Sequence, residues 1–526
     1  MKKVIVLLLL VTFLKEMVFA GLVPIWHTPD EQAHFAEVAF YSEKGFYPIS
    51  GNDLNKEIYT SESLMGTNRD KNGNNKFTFH PDYKIEYTNS QTGKYEDQIK
   101  NLPVSFRTEF VGQEAAGYPP LYYTISSLFY KIFYNSDLFV RVFVVRFFSI
   151  ILGVLLVYLA YLIGKEVFPD NELLQITLPL FVSFQPMVSF VSAGVNSDNL
   201  MNVLFTCFIY LMVLLVRKGL SLNLVLVSAL NTILLFLTKP QFVFALPILV
   251  LALILSVRNK RLMKILLGFL LLVGVLIVYF GARLEDLLIN VAYLGSFSPG
   301  GHTRNSLTLI QYAKNTLAHT YAEVLPWYWG VFDWLGVVLP RLANKIINWS
   351  LVVAGFGFLV GLYKIIKRGF EKQDILKVFL VLSALIYFAG ISYYDYLFIL
   401  GHYFSFGIQG RYFFPAIVPE MFILVFGFWS LFFGKLSKYK SYFVKLFSVL
   451  LVLLNFVALW TIAKTYYDMT NFGNFVNQAS QYKVGIFKGG WWEVWIILYL
   501  VALVIFLFRF LKLVPVKQVG KRSSKI

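Results

Sequence analysis

The sequence holds one cysteine, Cys207, in 526 residues. That excludes an intramolecular disulfide and a cysteine-built metal site. Charge is scarce too: 15% of residues are charged, against 57% hydrophobic and 18% aromatic. Such a balance excludes a soluble enzyme with an added anchor and points to a polytopic membrane protein. No glycine-rich phosphate loop is present, and the short basic loops leave no room for a nucleotide-binding domain. This argues against an ATP-driven machine. Acids are outnumbered, with Asp and Glu at 30 and Lys and Arg at 47, giving a net charge of +17. In a soluble chain that excess would suggest nucleic acid. Here the basic residues cluster between apolar runs, so they read as topology signals and no nucleic-acid partner is expected.

What is present is a series of apolar runs. Lys2 and Lys3 precede the first, about 4–25, which places the N-terminus in the cytoplasm by the positive-inside rule. Ala20-Gly21 resembles a signal-peptide end, but cleavage would leave the acidic motif that follows untethered, so an uncleaved span is expected. Lys15 and Glu16 interrupt this span and call for a neighbouring helix to satisfy them. Residues 26–141 form a first outer loop, in which the stretch after Pro119-Pro120, to Tyr134, lies along the interface. With the second span at about 142–163, every later basic cluster falls inside. The remaining spans are expected near 172–190, 198–216, 221–237, 240–257, 262–280, 346–364, 374–391, 412–433, 442–462 and 491–511. That makes about twelve, with both termini inside and a second long outer loop at 281–345.

The candidate chemistry gathers on the outer side. Pro29 precedes Asp30 and Glu31, so a helix is predicted to begin there with both acids in its first turn and His34 one turn on. Phe35 to Tyr41 continue it, and Gly45 stops it. Asp198 opens a span, Lys239 precedes Pro240, and Arg411 follows Gln409-Gly410 at another span start. Either cation alone could simply snorkel to the interface; arginine, however, matches a phosphate bidentately. His302, His319 and His402 read as loop residues. The aromatic run from Trp327 to Trp334 reads as an interfacial belt, with sugar stacking as the sharper alternative. Asp30, Glu31 and His34 could hold a metal, although their spacing is unlike zinc motifs. No cofactor is expected as a requirement, and a divalent metal stays open.

A polar, acidic outer loop directly after the first span resembles the GT-C class of membrane glycosyltransferases. Several blocks are similar to the bacterial and archaeal membrane family catalogued as domain of unknown function 2142: Pro29-Asp30-Glu31 with His34-Phe35, Tyr118 to Tyr123, Arg146 with Ser149 and Gly153, and Ser197-Asp198-Asn199. The series continues with Lys239-Pro240, Tyr328-Trp329-Gly330 with Trp334, and Gln409-Gly410-Arg411-Tyr412 with Pro415. The likeness covers about 1–435, implying a catalytic transmembrane module followed by further helices and a basic tail at 436–526.

The resemblance implies an all-α bundle in which Asp30 is the catalytic carboxylate, with Glu31 and His34 beside it. It also implies a donor-phosphate site at Lys239 or Arg411, with Tyr118 nearby and Asp198, Gln409 and Trp334 as further candidates. Many sugar-transfer relatives carry lysine before the double proline, where this chain has Tyr118; that shifts weight to Lys239 and Arg411. The implied activity moves sugar from a polyprenyl-phosphate or diphosphate donor to a glycan, lipid or protein acceptor at the outer face of the cytoplasmic membrane. Two other classes stay open from the residues alone: a secondary transporter or flippase, and a non-catalytic envelope-assembly protein.

Overall fold

The computed structural model describes residues 2–45, 54–67, 87, 90–111, 118–256, 307–333 and 335–514. The expected span at 262–280, together with His302 and Trp334, lies outside the described residues. Helix is the dominant element because a bilayer offers no partner to backbone groups, so each spanning segment must satisfy its own. Eight described helices are long and apolar enough to cross a membrane, one bent pair passes the same test, and two apolar helices are shorter. These eleven fall on eleven of the twelve expected apolar segments, so the chain is an all-α, multi-pass membrane protein.

The helices that shape the site begin with α1 (Lys2–Leu22), α2 (Glu31–Lys44), α3 (Lys56–Met65) and α4 (Ser90–Lys100). Next come α5 (Leu121–Ile132), α6 (Leu138–Val167), the bent pair α7 (Glu172–Ser183) and α8 (Pro186–Ser192), and α9 (Asp198–Lys218). After α10 (Leu222–Phe236) and α11 (Ala245–Ser256), α12 (Ala318–Trp329), α13 (Arg341–Arg368) and α14 (Lys372–His402) follow. The last four are α15 (Ile417–Ser430), α16 (Lys440–Tyr466), α17 (Phe472–Ala479) and α18 (Trp491–Leu511). Two short antiparallel pairs, Leu54–Asn55 with Phe110–Val111 and Val331–Phe332 with Val337–Val338, are the strands among the described residues.

The break between α7 and α8, a 60° bend, explains the charge in the first span. Pro186 has no N–H to continue the ladder. Lys15 reaches across and donates to the carbonyl of Ser183, and the Gln185 side chain accepts from Val188 N at 2.6 Å. Glu16 lies in a notch left by Gly153 of α6, where a Cβ would come within 2.4 Å of its carboxylate. Glycine also sets the α13–α15 crossing: a Cβ on Gly357 would sit 2.1 Å from the carbonyl of Gly427. Such backbone approach is how helices pack tightly without a hydrophobic drive.

Helix α5 has 12 residues, about 18 Å, too short to span. It buries Tyr122, Tyr123 and Tyr130 while Leu128 and Ile132 stay exposed. The first loop is tied down beneath it. Arg141 donates to Glu57, and to Tyr130 Oη at 2.7 Å. The C-terminal helices close on the first: α18 packs along α1, Tyr467 Oη donates to Leu22 O at 2.6 Å and Lys483 Nζ to Val23 O at 2.8 Å. The aromatic-belt reading is corrected in part, because Trp329 and Phe332 are buried inside the protein.

Candidate active site

The site is built on the turn from α1 into α2. Pro24 to Asp30 link the two helices, and both Trp26 (φ 67°) and Asp30 (φ 55°) adopt the left-handed conformation there. Glu31 locks this turn. Its carboxylate receives Arg146 Nε and Nη2 at 2.7 and 2.6 Å, Trp26 N at 2.9 Å and Val195 N at 3.1 Å. Arg146, projecting from α6, also donates to the carbonyls of Ala20, Val23 and Pro24 at 2.8–2.9 Å. Both side chains are buried, so this charge pair staples α1, α6 and the turn together.

The expectation that both acids lie in the first helical turn beside one imidazole is corrected in part: Asp30 acts on His34 electrostatically but precedes the helix, and Glu31 is in the first turn but pairs with Arg146. Asp30 is the N-cap of α2, and its carboxylate makes no capping bond. Its backbone is left-handed, and its partner differs from that of Glu31. Asp30 Oδ2 accepts from Arg411 Nη2 at 2.6 Å, and its side chain is 38% exposed. The adjacent acids thus have different jobs: Glu31 holds the turn from inside, and Asp30 faces the accessible side.

The cations come from elsewhere in the bundle. Lys239 lies between α10 and α11, just before the 3₁₀ turn Pro240–Phe244, and Arg411 is the second residue of the 3₁₀ stretch Gly410–Ala416 that leads into α15. Asp198, the first residue of α9, joins them: Lys239 donates to Oδ1, and Arg411 Nη1 approaches Oδ2 at 3.3 Å. Gln409 Oε1 accepts from Arg411 Nε at 2.8 Å, which fixes the plane of the guanidinium. Gly410 lets this segment approach α12, because a Cβ there would lie 2.3 Å from the backbone of Tyr328. The result is an alternating chain of charges, Asp30, Arg411, Asp198 and Lys239, drawn from four regions of the sequence.

His34 and two tyrosines close one side. Tyr123 Oη lies 2.8 Å from His34 Nδ1, and the Tyr118 ring centres 5.6 Å from the imidazole. The Lys239 ammonium sits 5.3 Å from the Tyr118 ring, a cation–π contact. Burial pushes the His34 imidazole down to about 3, helped by Lys239 and opposed by Asp30 and Asp198, so it is neutral at physiological pH. Tyr118 itself is 39% exposed, forming part of the open rim.

The structure therefore gathers Asp30, His34, Tyr118, Asp198, Lys239, Gln409 and Arg411 and assigns Glu31 to a supporting ion pair. Among the described residues, no group of three or more His, Cys, Asp or Glu could hold a metal ion. Arg146 and Tyr123 were part of the sequence blocks without a role; charge inside an apolar span was the signal available for Arg146. Glu420 was missed for want of the same test. It sits in α15 and accepts from Tyr328 Oη at 2.6 Å.

Two apolar grooves run beside α12, α13 and α15 and share Trp329, Leu351 and Leu424. The nearer one includes Phe413, two residues from Arg411, and Glu420 is its one acid.

No curated protein matches the sequence. Among solved structures, ArnT from Cupriavidus metallidurans bound to undecaprenyl phosphate is similar at TM-score 0.42 and 12% identity, over 96% of this chain and 76% of that one. The Archaeoglobus fulgidus oligosaccharyltransferase in its apo form is similar at TM-score 0.38 and 13% identity, over 82% of this chain and 56% of that one. The sequence matches the family described as "Predicted membrane protein (DUF2142)" over residues 13–419, and the chain belongs to that family.

Proposed function

We propose that this protein is a membrane glycosyltransferase of the GT-C type, moving a sugar from a polyprenyl-phosphate or diphosphate donor to an acceptor hydroxyl at the outer face of the cytoplasmic membrane. The observation that carries this reading is the Asp30–Arg411 contact of 2.6 Å, with Lys239 joined to the same cluster through Asp198. A carboxylate able to take a proton thus stands next to cations able to hold a phosphate. The nearer apolar groove, with Phe413 at its edge, supplies a path for the polyprenyl chain.

In the reaction, the acceptor oxygen forms a bond to the anomeric carbon as the bond from that carbon to the phosphate oxygen breaks. The acceptor proton passes to Asp30, and the electron pair leaves with the polyprenyl phosphate or, from a diphosphate donor, the polyprenyl diphosphate. Arg411 and Lys239 stabilise the charge that builds on the leaving group. One base and a good leaving group favour a single displacement with inversion. Glu31 acts as a positioning residue through Arg146. The bent α7–α8 pair beside Lys15 is the feature that favours a transporter instead.

The test is transfer of labelled sugar from a lipid donor pool in membranes. Asp30→Asn should lower transfer by about 10²-fold or more while the protein stays folded. Arg411→Ala should weaken donor binding and turnover together. Full activity in Asp30→Asn refutes the base assignment. Lipid movement across vesicles with no sugar turnover on any donor would favour the transporter.

A further inference from the structure

The charged cluster poses a problem for its own ligand. Asp30 and Asp198 balance Arg411 and Lys239, so an arriving phosphate meets a neutral group with its cations already occupied. Asp198 is the central member. It is the acid that touches both cations, Lys239 through Oδ1 and Arg411 Nη1 through Oδ2 at 3.3 Å, and its side chain is 9% exposed. Arg411 is held more closely by Asp30, at 2.6 Å, and Gln409, at 2.8 Å, than by Asp198.

The backbone around Asp198 is held independently of its carboxylate. Asp198 N donates to Asn196 Oδ1 at 2.8 Å, and Asn196 Nδ2 to Pro29 O at 2.9 Å. The start of α9 and the turn that carries Asp30 are therefore anchored by bonds that do not use the Asp198 carboxylate.

We propose that Asp198 is an internal counter-anion: it keeps Lys239 and Arg411 together in the geometry of a phosphate site and is displaced when a ligand's phosphate binds there. This rests on reading the two cations as a phosphate site. Two close cations without an anion would repel and would be costly to bury. A carboxylate offers two acceptor oxygens to the pair; a phosphate offers more acceptor oxygens and fits the guanidinium fork as well. The exchange leaves no cation bare at any stage. It also has an ordering consequence. Arg411 turned toward a phosphate loosens its hold on Asp30, so the donor prepares the carboxylate before the acceptor is used.

The experiment compares the full-length protein and Asp198→Asn in lipid nanodiscs, titrated with polyprenyl phosphate, uncharged polyprenol or inorganic phosphate. Asp198→Asn should bind polyprenyl phosphate about tenfold more tightly, roughly 1.4 kcal/mol, with polyprenol unchanged and Asp198→Glu close to the native protein. A gain confined to the lipid identifies a lipid headgroup as the ligand; an equal gain for inorganic phosphate identifies a free phosphate. Equal or weaker phosphate binding by folded Asp198→Asn overturns the proposal.

A second measurement needs no variant: a structure of the native protein with polyprenyl phosphate bound. Phosphate on Lys239 and Arg411 with Asp198 turned away supports displacement, and phosphate bound with both Asp198 contacts intact refutes it. Neither readout uses sugar transfer. Displacement without turnover keeps this inference and removes the enzyme reading; turnover with no tightening in Asp198→Asn does the reverse.

Discussion

Replacing Glu31 by glutamine separates holding the site from doing chemistry in it. The Glu31 carboxylate takes two bonds from Arg146, at 2.7 and 2.6 Å, and one each from the backbone N–H of Trp26 and Val195. Glutamine keeps one acceptor oxygen and turns the other position into a donor, facing groups that are themselves donors. The Arg146 side chain, 3% exposed, would then carry an uncompensated buried charge. Breaking such a pair costs about 3–5 kcal/mol, a large part of the ~5–15 kcal/mol that holds a typical protein folded. Thermal unfolding of the purified protein should therefore show a clear loss for Glu31→Gln and little change for Asp30→Asn. The double change Glu31→Leu with Arg146→Met removes both charges but also strips the carbonyls of Ala20 and Pro24 and the N–H groups of Trp26 and Val195 of their side-chain partners, so it should recover only part of the loss. Native unfolding with a ~10²-fold loss of transfer in Glu31→Gln would make Glu31 a chemical group and refute this division of roles.

Further outcomes follow from single features. Gly410→Ala places a Cβ 2.3 Å from the Tyr328 backbone, so it should cost about 1–3 kcal/mol and lower transfer by shifting Arg411. Gly355→Ala, in open space, is the control in the same assays. Burial lowers His34 to about 3 and His27 to about 4, below the ~6.5 of an unfolded histidine. The unfolded chain therefore binds more protons in this window, and stability should fall as pH drops from about 6.5 toward 4. His34→Gln should flatten that fall by close to one proton, and an unchanged slope would count against a buried neutral His34. Cysteines at Ser90 and Ser437, in a Cys207→Ala background, test topology. An impermeant reagent on intact cells should label position 90 and spare 437, and the opposite pattern would invert the bundle.

The helices were legible in the sequence because a membrane leaves few alternatives to a long apolar helix. The last of them, Trp491–Leu511, falls where the apolar run predicted it. The helix Glu31–Lys44 was legible too, from Pro29, the acids Asp30 and Glu31 at its start and Gly45 just past its end. So was the placement of Asp198, Lys239 and Arg411 at span ends, since charge stands out against 57% hydrophobic residues. What these residues pair with was not legible. Sequence spacing measures neighbours along one helix, and on that measure Asp30 and Glu31 should share His34. Asp30 does stay near His34, but its ion-pair partner is Arg411, 381 residues away, and Glu31 meets Arg146, 115 residues away. The stacking of α6, α9 and the Gly410–Ala416 segment decides which cation each acid finds. A one-dimensional pattern fixes which groups the bilayer rejects; only the packed bundle decides which of them touch, because ion pairs form across helix faces whose rotation and depth are set by close contact throughout the interior.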